Sequence, residues 1–299
     1  MKIILTGATG FLGSRLVEKL RDGRHELRVL GRKRSANLPA DAKFWVWDST
    51  RGEPPAESLE GVDAVINLAG EPVAQRWNSE VKERIRASRV DGTRNLVSAI
   101  AKIARRPRVL ANASAIGIYG SRGDEILTEQ SATGEGFLAD VVKQWEQAAD
   151  CAEGLGVRVV KLRFGIVLGR DGGALAKMLT PFKLGAGGKL GSGKQWMSWI
   201  HLEDVVDLIR FGLENPVIRG PVNATAPNPV TNEQFTKVLA ATLHRPAIFP
   251  VPAFAIKLMF GELASDILSS QRVVPKVAEA AGYPFRFPEL EAGFRQLMA

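Results

Sequence analysis

A short apolar run, Lys2 to Thr6, passes directly into Thr6-Gly7-Ala8-Thr9-Gly10-Phe11-Leu12-Gly13, and this junction limits the possible folds more than any other feature of the chain. The run has the length and content of a buried strand, and residues Phe11 to Arg21 carry apolar positions at helical spacing. Three glycines at such a junction each have a geometric use. Gly7 permits the tight turn, Gly10 lets backbone approach a ligand without a Cβ in the way, and Gly13 lets the helix pack closely on the strand. A helix N-terminus so placed presents unpaired N–H groups and the positive end of its dipole, which suits a pyrophosphate. Gly7, Thr9, Gly10, Phe11, Leu12 and Gly13 are therefore the first candidate binding residues. An ordinary Gly-rich turn has the same composition, but the strand before it and the helix after it favour a phosphate cradle.

Further runs rich in Val, Ile and Leu recur at Glu26–Leu30, Phe44–Trp47, Asp63–Leu68, Arg108–Ala113 and Arg158–Leu162. Between them Ser79–Ala104 and Gly136–Leu155 have helical period, and Gly61, Pro107 and Gly156 stand where helix-stopping residues belong. Such alternation predicts an α/β fold with a doubly wound parallel sheet of the Rossmann type. The dinucleotide-binding domain is predicted over 1–168, with 200–225 returning to it. Residues 169–199 and 226–299 are predicted to form a smaller α/β C-terminal domain for substrate and lid, with helical patches at Asn232–Leu243 and Phe254–Leu268. The Gly-rich stretch Leu184 to Ser192 is expected to close over a pocket walled by Met197, Trp199 and Pro-containing turns.

A chain of 299 residues, 45% hydrophobic and 24% charged, is long enough for one large α/β unit or two joined domains. Its single cysteine, Cys151, excludes an internal disulfide, and no Cys and His cluster has zinc spacing, so no metal is expected. Glycine-rich sequence begins too early for a secretory signal, and no run approaches the ~20 apolar residues of a membrane span. A cytoplasmic location without a membrane partner is expected. The formal net charge of +8 raises nucleic acid as a partner. No basic run with interleaved aromatics supports that, so a solvated basic surface with one phosphate site is the preferred reading.

The second predicted strand ends in Leu30-Gly31-Arg32-Lys33-Arg34-Ser35. Sites selective for NAD usually place Asp or Glu here to accept hydrogen bonds from the ribose 2′-hydroxyl. Three successive cations instead suit a 2′-phosphate, which a guanidinium can grip in a charge-assisted pair. Arg32 is the leading candidate, with Lys33, Arg34 or Ser35 assisting, and the expected cofactor is NADP(H).

The glycine motif, Asp48, and Asn67-Leu68-Ala69-Gly70 resemble those of extended short-chain dehydrogenases/reductases of the epimerase/dehydratase branch. So do Ala113-Ser114-Ala115-Ile116-Gly117-Ile118-Tyr119-Gly120, Leu162-Arg163-Phe164-Gly165 and Trp199-Ile200-His201-Leu202-Glu203-Asp204. The resemblance implies adenine contacts from Asp48, backbone contacts to the cofactor from Leu68, Ala69 and Gly70, and a pocket floor at Ser114. Glu71-Pro72-Val73, Ser88-Arg89-Val90, Gly136-Phe137-Leu138-Ala139, Trp145-Glu146 and the C-terminal Gln271-Arg272-Val273 are similar to the atypical "epimerase family protein" group. The helices over 79–104 and 136–155 resemble the dimer-forming pair of the wider family, which implies a possible homodimer.

That family moves protons with a Tyr-x-x-x-Lys pair, whose spacing puts phenol and ammonium on one helical face. Here Lys143 matches the lysine, but Ala139 stands where the tyrosine belongs, and neither Tyr119 nor Tyr283 has a lysine four residues on. Ser114 matches the assisting serine, so Ser114 and Lys143 are the remaining catalytic candidates. Lys143 can also hold the nicotinamide ribose. Arg89 replaces the family's helix asparagine, in a register that faces the cofactor. Ile166 and Met197 replace an Asn and an Arg that contact nucleotide-sugar diphosphates in epimerases, which points to a smaller, less anionic substrate. Tyr119, Asp140, Glu146 and His201 are further groups able to titrate. The resulting expectation is an NADP(H)-dependent oxidoreductase or isomerase of a small molecule. A redox-inert NADP(H)-binding sensor or scaffold is the alternative.

Overall fold

The computed structural model describes residues 1–21 and 25–299. Its N-terminal elements are Lys2–Thr6 (β1), Phe11–Leu20 (α1), Glu26–Gly31 (β2), Lys43–Val46 (β3), Ala56–Leu59 (α2), Ala64–Asn67 (β4), Ser79–Lys102 (α3) and Val109–Ala115 (β5). Ile126–Leu127 (β6), Phe137–Asp150 (α4), Arg158–Phe164 (β7), Ile166–Gly169 (β8) and Gly173–Lys183 (α5) follow. Then come Trp196–Met197 (β9), Trp199–His201 (β10), Leu202–Glu214 (α6), Gly220–Ala224 (β11), Val230–Thr231 (β12) and Asn232–Leu243 (α7). Ala253–Phe260 (α8), Ala264–Ile267 (α9), Arg272–Val273 (β13), Lys276–Ala280 (α10) and Leu290–Met298 (α11) complete the chain.

Seven strands form one sheet in the order β11-β7-β5-β4-β1-β2-β3, and every pairing in it is parallel. The sheet is a doubly wound Rossmann sheet. The order of winding reverses between β1 and β4, so the crevice beyond Thr6 and Asn67 is the switch point where such sheets bind ligands. Alternation along β1 sends Ile3 and Leu5 to one face, with Leu16, Val17 and Leu20 of α1 and Val205, Leu208 and Ile209 of α6. Ile4 goes to the other face, with Leu96, Val97 and Ile100 of α3. Both faces are covered, which is why the strands read as continuous apolar runs.

A third cluster joins α5, α7 and α11 around Trp199, Phe235 and Phe294, the last two in an edge-to-face pair with centroids 5.1 Å apart. Asp204 fastens the C-terminal chain to α6. Its fully buried carboxylate accepts from the backbone N–H groups of Arg286 (2.8 Å) and Phe287 (2.9 Å), and Tyr283 Oη donates to its carbonyl.

Two predicted helices differ in extent. The one predicted over 136–155 ends at Asp150 and passes through a single 3₁₀ turn, Glu153–Leu155, to Gly156 at φ +80°. The one predicted over 254–268 breaks at Gly261 (φ +60°), which separates α8 from α9. The stretch expected as a lid, Leu184 to Ser192, is held against the turn around Val251. Residues 185–193 pack on the Pro-containing turn, with Gly191 N–H donating to the Val251 carbonyl and a Cβ on Gly188 falling against Phe249. Met197 and Trp199 belong to the third core cluster, and neither lines the cavity at Ala139 or the hollow at Gly10. Among the described residues no helix is long and apolar enough to cross a membrane, and no group of His, Cys, Asp and Glu could hold a metal ion.

Candidate active site

The glycine loop is shaped by close backbone approaches. Gly7 has φ +73°, and a Cβ there would come within 2.7 Å of the Leu68 carbonyl carbon. A Cβ on Gly13 would lie 2.1 Å from the Gly7 carbonyl oxygen, so α1 can rest on this turn only without one. Gly10 is the N-cap in extended conformation, with no side-chain cap and no acid in the first turn. The helical ladder begins with Ser14 N–H to the Gly10 carbonyl at 2.8 Å, which leaves the preceding amides of Phe11, Leu12 and Gly13 as the orphan donors of the helix end. The Phe11 side chain turns away from the cradle. Its ring fills a socket in the β8–α5 turn where a Cβ on Gly169, Gly172 or Gly173 would come within 2.4, 2.3 or 3.0 Å of it. A hollow of about 640 Å³ opens at Thr9, Gly10 and Phe11, with Ser14, Arg170 and Asp171 on its walls.

Thr6 Oγ1 ties the cradle to the next loop. It donates to Asn67 Oδ1 (2.7 Å) and accepts from the amides of Ala69 (3.0 Å) and Leu68 (3.1 Å). Those amides are therefore occupied, and the Leu68 carbonyl lies against Gly7. Asn67 Nδ2 donates to Asn112 (2.7 Å) and Thr93 (3.0 Å), and Trp145 Nε1 also donates to Thr93 (2.9 Å). Thr93, Asn112 and Trp145 thus support the loop from behind, a role that spacing alone did not reveal.

The three cations after β2 differ. Arg32 and Lys33 are exposed. Arg34 folds back, donating to the carbonyls of Ala42 (3.0 Å) and Pro39 (3.1 Å), so its guanidinium braces its own loop. Asp48 accepts from the Thr50 hydroxyl (2.9 Å) and amide (3.1 Å). Burial works against the Asp48 charge, but these bonds, with Arg51 and Arg32 nearby, hold its carboxyl below the usual range.

Arg89 lies flat beneath Gly70, where a Cβ would sit 3.2 Å from the guanidinium carbon. It donates to the carbonyls of Glu71 (2.9 Å) and Ile85 (3.2 Å), and the guanidinium carbon lies 5.3 Å from the Trp145 ring centre. Burial pulls the group down to about 10, partly offset by Glu71, so it remains charged at neutral pH.

Ser114, at the end of β5, is buried and donates to Glu146 Oε1 at 2.5 Å. Arg163 grips both oxygens of that carboxylate, Nε to Oε1 at 2.8 Å and Nη2 to Oε2 at 2.9 Å. Arg163 Nη1 also donates to Tyr119 Oη (2.8 Å), which donates to Asn223 Oδ1 (2.7 Å). Tyr119 is fully buried, and burial raises its phenol against the pull of Arg163. Arg163 therefore joins Glu146 and Tyr119 in one buried structural network. Lys143 pairs with Asp140 at 3.1 Å, with its side chain about one-third exposed (32%).

His201, weighed above as an acid or base, is also structural. Nδ1 accepts from Glu203 N–H and caps α6, while Nε2 bonds to Gln296 Oε1 on α11 at 2.9 Å. Burial pushes its pKa down to about 4.

Ala139 lines a cavity of about 660 Å³ shared with Trp77, Gly117, Phe137 and, from the C-terminal region, Lys257, Glu262 and Asp266. Trp77 and Phe137 meet edge to face at 5.2 Å. Position 139, itself buried, thus lies in the wall of this cavity. Ser114 thus stands at the end of β5, Lys143 on α4 and Arg89 on α3, while Arg32 and Lys33 follow β2.

The sequence profile of the NAD dependent epimerase/dehydratase family matches residues 3–223, and that of a domain of unknown function, DUF1731, matches 251–297. "Epimerase family protein YfhF" of Bacillus subtilis (strain 168) is 41% identical over all of this chain and 98% of its own length. "Epimerase family protein SDR39U1 homolog, chloroplastic" of Arabidopsis thaliana is 42% identical over all of this chain and 87% of its own. The crystal structure of human epimerase family protein SDR39U1 with NADPH superposes with a TM-score of 0.89 at 33% identity, covering 99% of each chain. With the switch-point crevice, the glycine cradle and a full-length match all in agreement, the chain belongs to the NAD dependent epimerase/dehydratase family, in its group of epimerase family proteins with a DUF1731 C-terminal region.

Proposed function

We propose that the chain binds NADP(H) across the N-terminus of α1 and acts as a cytoplasmic oxidoreductase or isomerase on a small, weakly anionic molecule. The observation that carries this reading is the cradle itself. Gly7 and Gly13 are forced by contacts of 2.7 and 2.1 Å, and the helix end they build has neither a side-chain cap nor an acid in its first turn. Gly7, Thr9, Gly10, Phe11, Leu12 and Gly13 would hold the pyrophosphate by their backbone. Arg32 and Lys33 would take the 2′-phosphate, and Asp48, Leu68, Ala69 and Gly70 would flank the adenosine and its ribose.

Arg89 is charged and half-buried and donates to the carbonyls of Glu71 and Ile85, which suits it to a ligand's anionic or carbonyl group beneath Gly70. Lys143 would reach the nicotinamide ribose by exchanging its Asp140 partner. The human relative's NADPH complex supports the same choice of cofactor. When bound, the reduced dinucleotide supplies a hydride. The open cavity at Ala139 favours turnover over a redox-inert module, since a sensor has no need of empty volume beside the missing phenol.

Fluorescence titration with NADPH and NADH tests the reading. Tight binding of NADPH with a clear preference over NADH is the expected result. Absence of affinity for either dinucleotide would overturn it.

A further inference from the structure

Most groups near the missing phenol are already committed to partners, and Glu135, at the rim of the cavity beside Ala139, is exposed. The Ser114 hydroxyl hydrogen is committed to Glu146, and that carboxylate is held at both oxygens by Arg163. The Tyr119 hydrogen lies on Asn223, and the residue has no exposed surface. His201 is bonded at both nitrogens. In the cavity at Ala139, Glu262 is held by Lys82 at 2.7 Å.

Asp266 differs from all of these. It lines the same cavity as Ala139, on the short helix α9. Its nearest side-chain partner is the Ser265 hydroxyl at 3.4 Å, and only that group and its own backbone favour its charge. Lys257, Glu135 and Glu262 line the same cavity, Lys82 is bonded to Glu262, and Arg76 lies against Gly261; none is bonded to Asp266.

Resting on the NADP(H)-dependent reading above, we propose that Asp266 exchanges the proton with the substrate oxygen in this cavity and so replaces the phenol absent at position 139. When a carbonyl carbon accepts hydride, the electron pair of the C=O π bond moves to oxygen. That oxygen bonds to the proton of the Asp266 carboxyl as its O–H bond breaks, giving an alcohol and a carboxylate. A proton from bulk solvent then restores the carboxyl, so the reduction consumes one hydride from the dinucleotide, which is left oxidised, and one solvent proton. In the oxidation direction the carboxylate accepts the alcohol proton. Burial raises the Asp266 carboxyl above the ordinary aspartate value, which favours its acid form nearer neutral pH.

The test compares the wild type with Asp266→Asn and Asp266→Glu. NADPH binding is followed by fluorescence, the aspartate carboxyls by carboxyl-carbon NMR titration, and turnover by NADPH-dependent reduction of para-nitrobenzaldehyde across pH. All three proteins should bind NADPH alike. Asp266→Asn should lose about 10²- to 10⁴-fold in kcat, the usual contribution of a general acid, and the alkaline limb of the pH profile should vanish with it. Asp266→Glu should restore that limb. One carboxyl should titrate above the ordinary aspartate range in wild type and be missing from Asp266→Asn. Turnover and pH profile unchanged in Asp266→Asn, with NADPH still bound, would overturn this proposal alone. A wild type that binds NADPH, lacks such a carboxyl and reduces nothing would do the same. Failure of the wild type to bind NADPH would sink the cofactor reading instead, and this proposal with it.

Discussion

The Ser114 hydroxyl donates to Glu146 Oε1 at 2.5 Å while Arg163 grips the same carboxylate through two further bonds. A serine whose hydrogen is committed to an anion offers only lone pairs to its other side. In the parent pattern this serine helps position the reacting hydroxyl. Here it can accept a hydrogen bond from a ligand but has no proton to give a developing alkoxide. The same network explains why a carboxylate and a guanidinium, each with only 7% of its side chain exposed, sit beside β5. They satisfy one another, Ser114 and Tyr119 together.

Removing one member of this pair should be severe. Glu146→Leu leaves Arg163 buried without its anion and should destabilise the fold by about 3–5 kcal/mol in urea denaturation. The double variant Glu146→Leu with Arg163→Met should recover much of that loss, since two apolar groups need no partner. A single variant as stable as wild type would show that the pair contributes nothing.

The two arginines after β2 should separate cleanly. Arg32→Asp should weaken NADPH binding by about 10- to 100-fold, the equivalent of one lost charge-assisted bond, and should improve NADH binding. Arg34→Ala should leave the ratio of the two Kd values unchanged, because its guanidinium is bonded to Pro39 and Ala42. Equal effects of the two substitutions on that ratio would contradict the assignment.

Phe11 and Gly172 should be coupled. A methyl group at position 172 would fall 2.3 Å from the Phe11 ring, so Gly172→Ala should cost about 1–3 kcal/mol through overpacking. Phe11→Leu in the same background should cost less than the two changes summed, as judged by thermal melting. Strict additivity would place the ring elsewhere.

His201 and Glu203 set two different acid thresholds. His201 has an ordinary value of 6.5 and about 4 in the fold, so its neutral form is the one folding favours. Its contribution is fully present above 6.5 and is lost as pH falls from 6.5 towards 4, at most about 3 kcal/mol for a shift of this size. His201→Asn should flatten stability over that window. Glu203 is held down to about 2, chiefly by its Arg15 bond and despite burial, so its contribution persists to pH 4.5 and fails only below. Denaturation midpoints measured between pH 7 and pH 4 for both proteins decide this; parallel curves would mean that His201 does not carry the loss.

The parallel sheet, the cradle and the cation cluster were legible in the chain because each depends on short-range chemistry. Apolar runs of strand length mark β1, β2, β5 and β7, and three glycines mark the points where backbone meets backbone. Ala139 could be read directly as a missing phenol, since helical spacing relates it to Lys143. What spacing could not supply was the set of partners that decides what a polar side chain is free to do. Arg34 was indistinguishable from Arg32 until its loop folded back on Pro39 and Ala42. His201 and Tyr119 looked able to titrate until Gln296 and Asn223, 95 and 104 residues away, took up their hydrogens or lone pairs. Asp266 carried no local signal whatever, because its interest lies in sharing a cavity with a residue more than a hundred positions earlier. Local order follows from neighbours along the chain, whereas burial, pairing and the open space beside a reacting group arise only when distant segments pack.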